Sequence, residues 1–532
     1  MKIRTDIGEK MQRLTDGRQE LLKQVSQRVW KLAEVSRHEF ESAQFLVNQL
    51  KSLGFDVVQG VGGYPTSFIG EWNNGAKGPV VGLLCEYDAL PGLSSEEEGK
   101  PGHGCGHNLF AGAAITTGDI LKAYMEEEGI PGTIKVFGTP SEESYGSKPF
   151  LVKQGFFDGV DFFIGFHPLE FNGVLYATHN AMVTKKYRFH GKTSHAGAEP
   201  ELGISALDAV EIMNVAVNYL REHVTQDARI HYIITHGGDA PNIVPGYAES
   251  LYVARAQDLS NLRSITEKID NCAKGAALAT GATCDIEIVE SFANTVLNRP
   301  YCELGHQYIQ YFGAPPYTES DQQSVAEFGK KEGLLTKIES LPETQGAYGA
   351  STDEGDVSWV GPWARICMAV LADGTPGHSV EVTQQSNMSF AFKGMLHNVK
   401  VWASTLGHLM TVEEDLRRVK DYHQEAMKNR QYDRSFNAIP DPKFFPNSPG
   451  FEIIAFDRIQ VEVKKNPFLR EQQKGQIYFT QKGNRIGEKN LEQQDETISV
   501  VLKKEIEEKQ PIYIYYQNQT DQQETFLGYL HK

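Results

Sequence analysis

Cysteine is scarce in this chain, with six residues (Cys85, Cys105, Cys272, Cys284, Cys302 and Cys367) among 532. So sparse a set cannot build a disulfide framework in a protein of this length, and it suits a reducing compartment. Positive charge is also in deficit: 52 Lys and Arg stand against 69 Asp and Glu, a net charge of −17. A sequence-independent phosphate-binding surface needs a concentrated positive field, so nucleic acid is not expected as a partner. No window reaches about 18 uninterrupted apolar residues. The start, MKIRTDIGEKMQRL, lacks the apolar core and small-residue cleavage site of a signal peptide. The expectation is a soluble cytoplasmic protein with no membrane partner. What the chain does have is 40% hydrophobic residues, sufficient for more than one buried core. Its length suits about three domains.

The first 60 residues read as helical, with amphipathic stretches near Met11 to Val35 and Glu41 to Leu53. Short apolar runs at Val80 to Leu84, Thr133 to Phe137, Phe162 to Phe166 and Ile366 to Leu371 are bounded by Gly or Pro and separated by helical segments. That alternation predicts an α/β domain with a mostly parallel sheet. Between about Met182 and Glu290 the order changes. Strands near Val183 to His190, Arg229 to Thr235, Ala248 to Arg255 and Thr283 to Val289 combine with helices near Ile204 to Glu222 and Leu259 to Ala279. This is the split βαββαβ (ferredoxin-like) unit, read as an inserted domain because the larger pattern resumes after Asn294.

From Ser448 to Lys532 the composition shifts again. Twelve basic residues nearly balance 13 acidic ones, so almost all of the net charge belongs to the preceding part. Twelve glutamines and short β-prone runs (Gln476 to Thr480, Ile498 to Leu502, Ile512 to Tyr516) predict a small β-rich appendage. The segment Tyr432 to Pro446, with Pro440, Pro442 and Pro446, reads as its connection. The expected division is therefore a catalytic domain in two parts, 1–181 and 295–447, an insert at 182–294, and an extension at 448–532.

In open α/β sheets, ligands bind beyond the carboxyl ends of the strands. Glu86-Tyr87-Asp88 follows the first expected strand, and its loop closes with Gly102-His103-Gly104-Cys105-Gly106-His107-Asn108. Pro140-Ser141-Glu142-Glu143 follows the second, His167-Pro168 the third, and Gly374-Thr375-Pro376-Gly377-His378 the fourth. Cys105, His107, Glu143, His167 and His378 are the ligand types that zinc and its first-row neighbours prefer. Five exceed the four that one structural zinc takes, and two ions sharing a bridging group would use them all. Taken singly, each has a plainer reading: a buried thiol beside a capping histidine, a solvated acidic turn, ordinary loop histidines. Their arrival from four strand ends at one sheet edge favours the metal reading. Hydrolysis also needs a group that takes the proton of water, so Glu143 would bind metal while Glu142 moves the proton. Asp88 is placed either to orient a ligating histidine or as a strand-end turn residue. A thiol nucleophile, Cys105 with His107 as base, is disfavoured because two residues in one glycine-rich loop do not readily meet with a third group orienting the base.

These stretches resemble the dizinc aminoacylase and carboxypeptidase family of amidohydrolases, within it the branch of the p-aminobenzoyl-glutamate hydrolase B subunit. The resemblance covers about residues 20 to 445. It also rests on Gly63-Tyr64-Pro65-Thr66-Ser67-Phe68, Ala89-Leu90-Pro91-Gly92-Leu93, Ser194-His195-Ala196-Gly197 and Pro241-Asn242-Ile243-Val244-Pro245. Ser351-Thr352-Asp353, Gly355-Asp356-Val357-Ser358 and Thr375-Pro376-Gly377-His378-Ser379 complete it. It implies that Cys105, His107, Glu143, His167 and His378 hold two divalent ions, zinc with manganese or cobalt as alternatives. It implies Glu142 as general base and Asp88 as the residue that orients a ligand. The insert would be a lid that also forms a homodimer, with His195 reaching the partner's site to stabilise the oxyanion and Asn242 contacting substrate. Residues alone would make His195 an exposed loop histidine and Asn242 a turn residue. Many relatives open the helix after Cys-x-His with Asp where this chain has Asn108, and the tail from Ser448 has no counterpart among them.

The activity expected is metal-dependent hydrolysis of the amide bond between an acyl or aroyl group and an amino acid. An acyl-amino acid, a p-aminobenzoyl-glutamate-like molecule or a dipeptide would serve as substrate. The alternatives are a dipeptidase of the same family and a non-catalytic scaffold that retains the fold.

Overall fold

The computed structural model describes residues 1–61, 64–75, 77–328 and 333–432. Beyond them it describes seven strands, Ile453–Phe456, Gln460–Lys464, Gly475–Gln481, Asn484–Asn490, Thr497–Val501, Ile512–Asn518 and Glu524–Leu530.

The expected α/β pattern forms a seven-stranded sheet. Its order is Asp56–Gln59, Phe68–Asn73, Thr133–Gly138, Val80–Cys85, Phe162–Gly165, Trp363–Cys367 and Gly173–Val174. The four strands from Thr133–Gly138 to Trp363–Cys367 run parallel, and the outer strands pair antiparallel. Those four are almost wholly buried, which is why each reads as a continuous apolar run rather than an alternation. Being parallel, they deliver their carboxyl ends to one edge. The helices His107–Glu128 and Ser389–Thr411 pack on each other and on the sheet.

Two expectations about elements need correction. The single stretch expected over Met11 to Val35 is two helices, Thr5–Asp16 and Gln19–Leu32, broken at Gly17. Arg18 stabilises the break: its guanidinium donates to the Leu14 carbonyl at the end of the first helix and pairs with Asp119 at 2.6 Å. The fourth strand is Trp363–Cys367, not Ile366 to Leu371. Arg365 hid its start, because a buried arginine interrupts the apolar run. It is tolerated there through bonds to the Glu354 carboxylate and to His179 Nε2.

The inserted segment forms a separate antiparallel sheet in the order Thr283–Phe292, Ala181–His190, Tyr247–Ala256 and Arg229–His236. The helices Ala206–Leu220 and Leu259–Thr280 bury Val210, Met213 and Val217, and Ile265, Ile269 and Ala273, in one core with this sheet. Both helices begin at side-chain caps, Ser205 and Asp258. In the tail the three β-prone runs are strands, and four further strands accompany them in sheets of three and four. The expected connection over Tyr432 to Pro446 lies outside the described residues from residue 433 onward. Among the described residues, no helix is long and apolar enough to cross a membrane.

Candidate metal centre

Three backbone devices bring the chemistry-bearing side chains together. Beyond the Val80–Cys85 strand the side chains still alternate, so Glu86 and Asp88 share one side while Tyr87 turns away to donate to the Thr66 carbonyl. Gly106 separates Cys105 from the helix that opens at His107. Its φ of 78° is left-handed, and a Cβ there would meet Pro168 at 2.7 Å, so only glycine allows the close approach. The loop after Thr133–Gly138 carries Glu142 and Glu143 between Ser141 (φ 63°) and Tyr145 (φ 78°), two side-chain-bearing residues held in the left-handed region. Hydrogen bonds hold it there. Ser141 Oγ donates to Glu39, the Glu143 N–H to Asp88, and the Tyr145 N–H to Glu290.

All five candidate ligands meet at this edge. Cys105 Sγ lies 2.9 Å from His167 Nε2, and His378 Nε2 lies 3.4 Å from Glu143 Oε2. Ligand atoms of Cys105, His107 and His167 fall within 4.8 Å of one another, and so do those of Cys105, Glu143 and His378. Cys105 is common to both sets. A third set joins Glu86, His107 and Glu142. The histidines present defined nitrogens. His167 Nδ1 donates to the Pro168 carbonyl at 3.0 Å, and His107 Nδ1 is 2.9 Å from Asp88 Oδ1, which leaves Nε2 of each for the cluster.

The donor set fits divalent ions. His107 Nε2 and Glu143 Oε1 are buried, and among the described residues neither has a hydrogen-bond partner. Burial pushes the Cys105 thiol well above its ordinary value and the Glu143 carboxyl up to about 8, and it pushes His167 down to about 3. Cys105 and Glu143 are thus short of the countercharge that a divalent cation supplies, coordination would deprotonate the thiol, and His167 is held as the neutral imidazole that a ligand must be.

Cys105, Glu142, Glu143, His167 and His378 line a cleft of about 410 Å³ to which strands of the inserted sheet also contribute. Leu169, Leu175, Met182, Val253, Phe292 and Tyr348 supply its apolar lining. Two arginines also line it. Arg365 is neutralised by Glu354, whereas Arg255 reaches Ser351 Oγ at 3.4 Å and has no carboxylate partner among the described residues. Residue-by-residue reading missed Arg255. The available signal was an arginine at the end of the expected strand Ala248 to Arg255.

His195 and Asn242 do not reach this cleft within one chain. Both are exposed and neighbour each other: the Ala196 N–H donates to the Asn242 carbonyl, and His195 Nδ1 accepts from the Gly197 and Ala198 N–H groups. Asn108 is fully buried and its amide donates to the Ser386 carbonyl at 3.1 Å, a bond that an ionised aspartate could not make.

The family described as Peptidase family M20/M25/M40 matches residues 82–406. The B subunit of the p-aminobenzoyl-glutamate hydrolase of Escherichia coli K12 is 34% identical over 465 residues, 80% of this chain and 95% of that protein. The mouse Xaa-Arg dipeptidase is 35% identical over 64% of this chain and 74% of its own length. Among solved structures, an aminobenzoyl-glutamate utilization protein from Klebsiella pneumoniae aligns with a TM-score of 0.54 at 15% identity, covering 74% of this chain and 97% of that one. The Bacillus subtilis YXEP protein, described as a dinuclear metal-binding peptidase, aligns at 0.51 and 15% identity over 75% of this chain and 99% of that one. At such identity these two show the fold.

Proposed function

The chain belongs to peptidase family M20/M25/M40 and is a metal-dependent hydrolase of amide or peptide bonds, and we propose that it releases an amino acid with a free carboxylate from a small N-acyl, N-aroyl or aminoacyl precursor. One observation carries this reading. Two ligand sets sharing Cys105, a spare glutamate at position 142, and an arginine without a carboxylate partner among the described residues all face one cleft with an apolar lining.

When bound, two divalent ions polarise the scissile carbonyl and lower the pKa of an attacking water. Cys105, His107 and His167 would hold one, and Cys105, Glu143 and His378 the other; zinc suits this mixture of thiolate, imidazole and carboxylate, with manganese or cobalt as alternatives. Glu142 takes the proton of the attacking water and returns it to the leaving amine. Asp88 holds His107 in one tautomer and orientation. Arg255 binds the carboxylate of the amino-acid half, and the lining around Leu175, Val253 and Phe292 receives the acyl or aroyl half. A p-aminobenzoyl-glutamate-like compound and a dipeptide both meet these demands.

The insert at 182–294 acts as lid and homodimer interface. Its edge strand Arg229–His236 exposes Ile233 and Ile234, and the Ala206–Leu220 helix exposes Ile212, Val215 and Tyr219 at helical spacing. An unpaired strand edge beside an apolar helical stripe suits the same surface of a second copy. In that dimer His195 of the partner subunit supplies the oxyanion contact, Asn242 touches substrate, and the extension at 448–532 stays outside the chemistry.

The test is turnover of an N-acyl amino acid and of its carboxamide, before and after chelation. Turnover of the free acid well above that of the carboxamide, abolished by chelator and restored by zinc, manganese or cobalt, is expected. Equal rates on acid and carboxamide, or full activity in metal-free protein, would refute the reading.

A further inference from the structure

Glu86 has no part in the two ligand sets that share Cys105, yet it is 2% exposed and lies against His107. We propose that Glu86 is a sixth metal ligand, acting on the ion at His107 through a single carboxylate oxygen because Lys148 holds the other. The proposal rests on the reading of this cleft as a metal centre.

Lys148 lies near the start of the short helix Ser147–Lys153, just past the loop that bears Glu142 and Glu143, and is wholly buried. Its ammonium donates to Glu86 Oε1 at 2.7 Å and to the Asp353 carboxylate, which also accepts the Lys148 backbone N–H at 3.2 Å. Lys148 is thereby fixed from two sides, and Glu86 has one oxygen committed. The other, Oε2, lies 3.2 Å from His107 Nε2. The contact is not a hydrogen bond, since that nitrogen has no partner of suitable geometry among the described residues. Two atoms can stand this close, unaligned, when both face a third point.

The distance identifies that point. Nitrogen or oxygen ligands about 2.0 to 2.1 Å from a tetrahedral zinc sit about 3.3 Å from each other. The Glu86 to His107 separation of 3.2 Å matches that spacing, as does the 3.4 Å between Glu143 and His378. Glu142 completes a compact set with Glu86 and His107 within 4.8 Å. A purely structural ion pair beneath the site accounts for Glu86 Oε1 but not for the placement of Oε2. The buried His107 Nε2 beside it has no hydrogen-bond partner among the described residues, and leaving such a group unpaired is costly, so the two atoms together call for a shared cation.

Binding itself is the test. Cobalt(II) and zinc are titrated into metal-free wild-type, Glu86→Gln and Lys148→Met proteins against a chromophoric chelator, and the visible spectrum of the cobalt forms is recorded. Two ions are expected in wild type. In Glu86→Gln, one site should weaken at least about 10-fold with a changed cobalt spectrum while the other is retained, and Lys148→Met should weaken the same site. If circular dichroism shows Glu86→Gln to be unfolded, Glu86→Asp carries the test, because it keeps the charge but withdraws the oxygen by one methylene. A folded Glu86 variant with both affinities and the spectrum of wild type overturns the ligand assignment. A Lys148→Met protein with unchanged affinities overturns the role given to Lys148. Fewer than two ions in wild type overturns the metal-centre reading, and this assignment with it.

Discussion

Asp88 Oδ2 accepts the backbone N–H of Glu143 at 2.9 Å, while Oδ1 of the same carboxylate lies 2.9 Å from His107 Nδ1. One buried side chain therefore sets both the ring that serves the first ligand set and the loop that carries the second. Ser36 Oγ donates to Asp88 Oδ2 as well, so the carboxylate has little freedom to turn. Movement of either strand end is transmitted to both sets.

Because Cys105 belongs to both ligand sets, its loss should differ in kind from that of a histidine. Cys105→Ala is expected to reduce the load at both positions, whereas His167→Ala and His378→Ala should each lower it by about one ion. Plasma emission on folded, gel-filtered protein measures this. Equal loads in all three variants would remove the bridging role.

Glu142→Gln preserves shape but not the proton acceptor. Turnover should fall roughly 10²- to 10⁴-fold with metal content unchanged. A rate within a few-fold of wild type would place the base elsewhere.

Arg255→Met should impair substrates with a free carboxylate and leave their carboxamides alike in both proteins. Losing a buried ionic contact is worth about 2 kcal/mol or more, which corresponds to roughly a 30-fold fall in kcat/KM. A uniform decline on both substrates would mean that Arg255 shapes the cleft rather than recognises charge.

His195 is exposed in the single chain, so its proposed role depends on a second one. Mixing inactive His195→Ala with inactive Glu142→Gln should recover part of the activity, since one site of the mixed dimer receives both intact groups. Absence of recovery under demonstrated subunit exchange would count against a shared site.

Asp356 offers a pH test away from the ligands. Its carboxyl is fully buried, and burial, opposed by the Tyr432 hydroxyl and the Ala293 N–H, leaves it raised to about 7. Unfolded aspartate titrates near about 3.9, so the folded form binds the extra proton between those values. The contribution to stability is complete below about pH 4 and is lost as pH rises to about 7. Asp356→Asn, an amide that can serve both neighbours, should show a shallower decline of Tm across that range. Parallel curves for the two proteins would exclude Asp356 as the cause.

Patterns that depend on neighbours along the chain were legible in the sequence alone. The parallel strands announced themselves because burial on both faces demands unbroken apolar runs, and the inserted unit because its strands and helices differ in period. The five candidate ligands were legible too, since a parallel sheet must bring its strand ends to one edge. Arg365 shows the limit: a buried arginine read as an interruption, and its partners Glu354 and His179 lie 11 and 186 residues away. Gly17 ended a helix that periodicity alone carried through. Lys148 carried no local signal, and Arg255 and Asp353 showed only their places at a strand end and in a motif, because the energy of a buried charge is set by groups brought near it only by folding. Short-range backbone and solvation rules, written in the order of residues, dictate which side-chain types stand at the strand ends. Which of their atoms face one another is settled by the folded chain, because pairing of buried charges is a property of distance in space rather than of separation along the sequence.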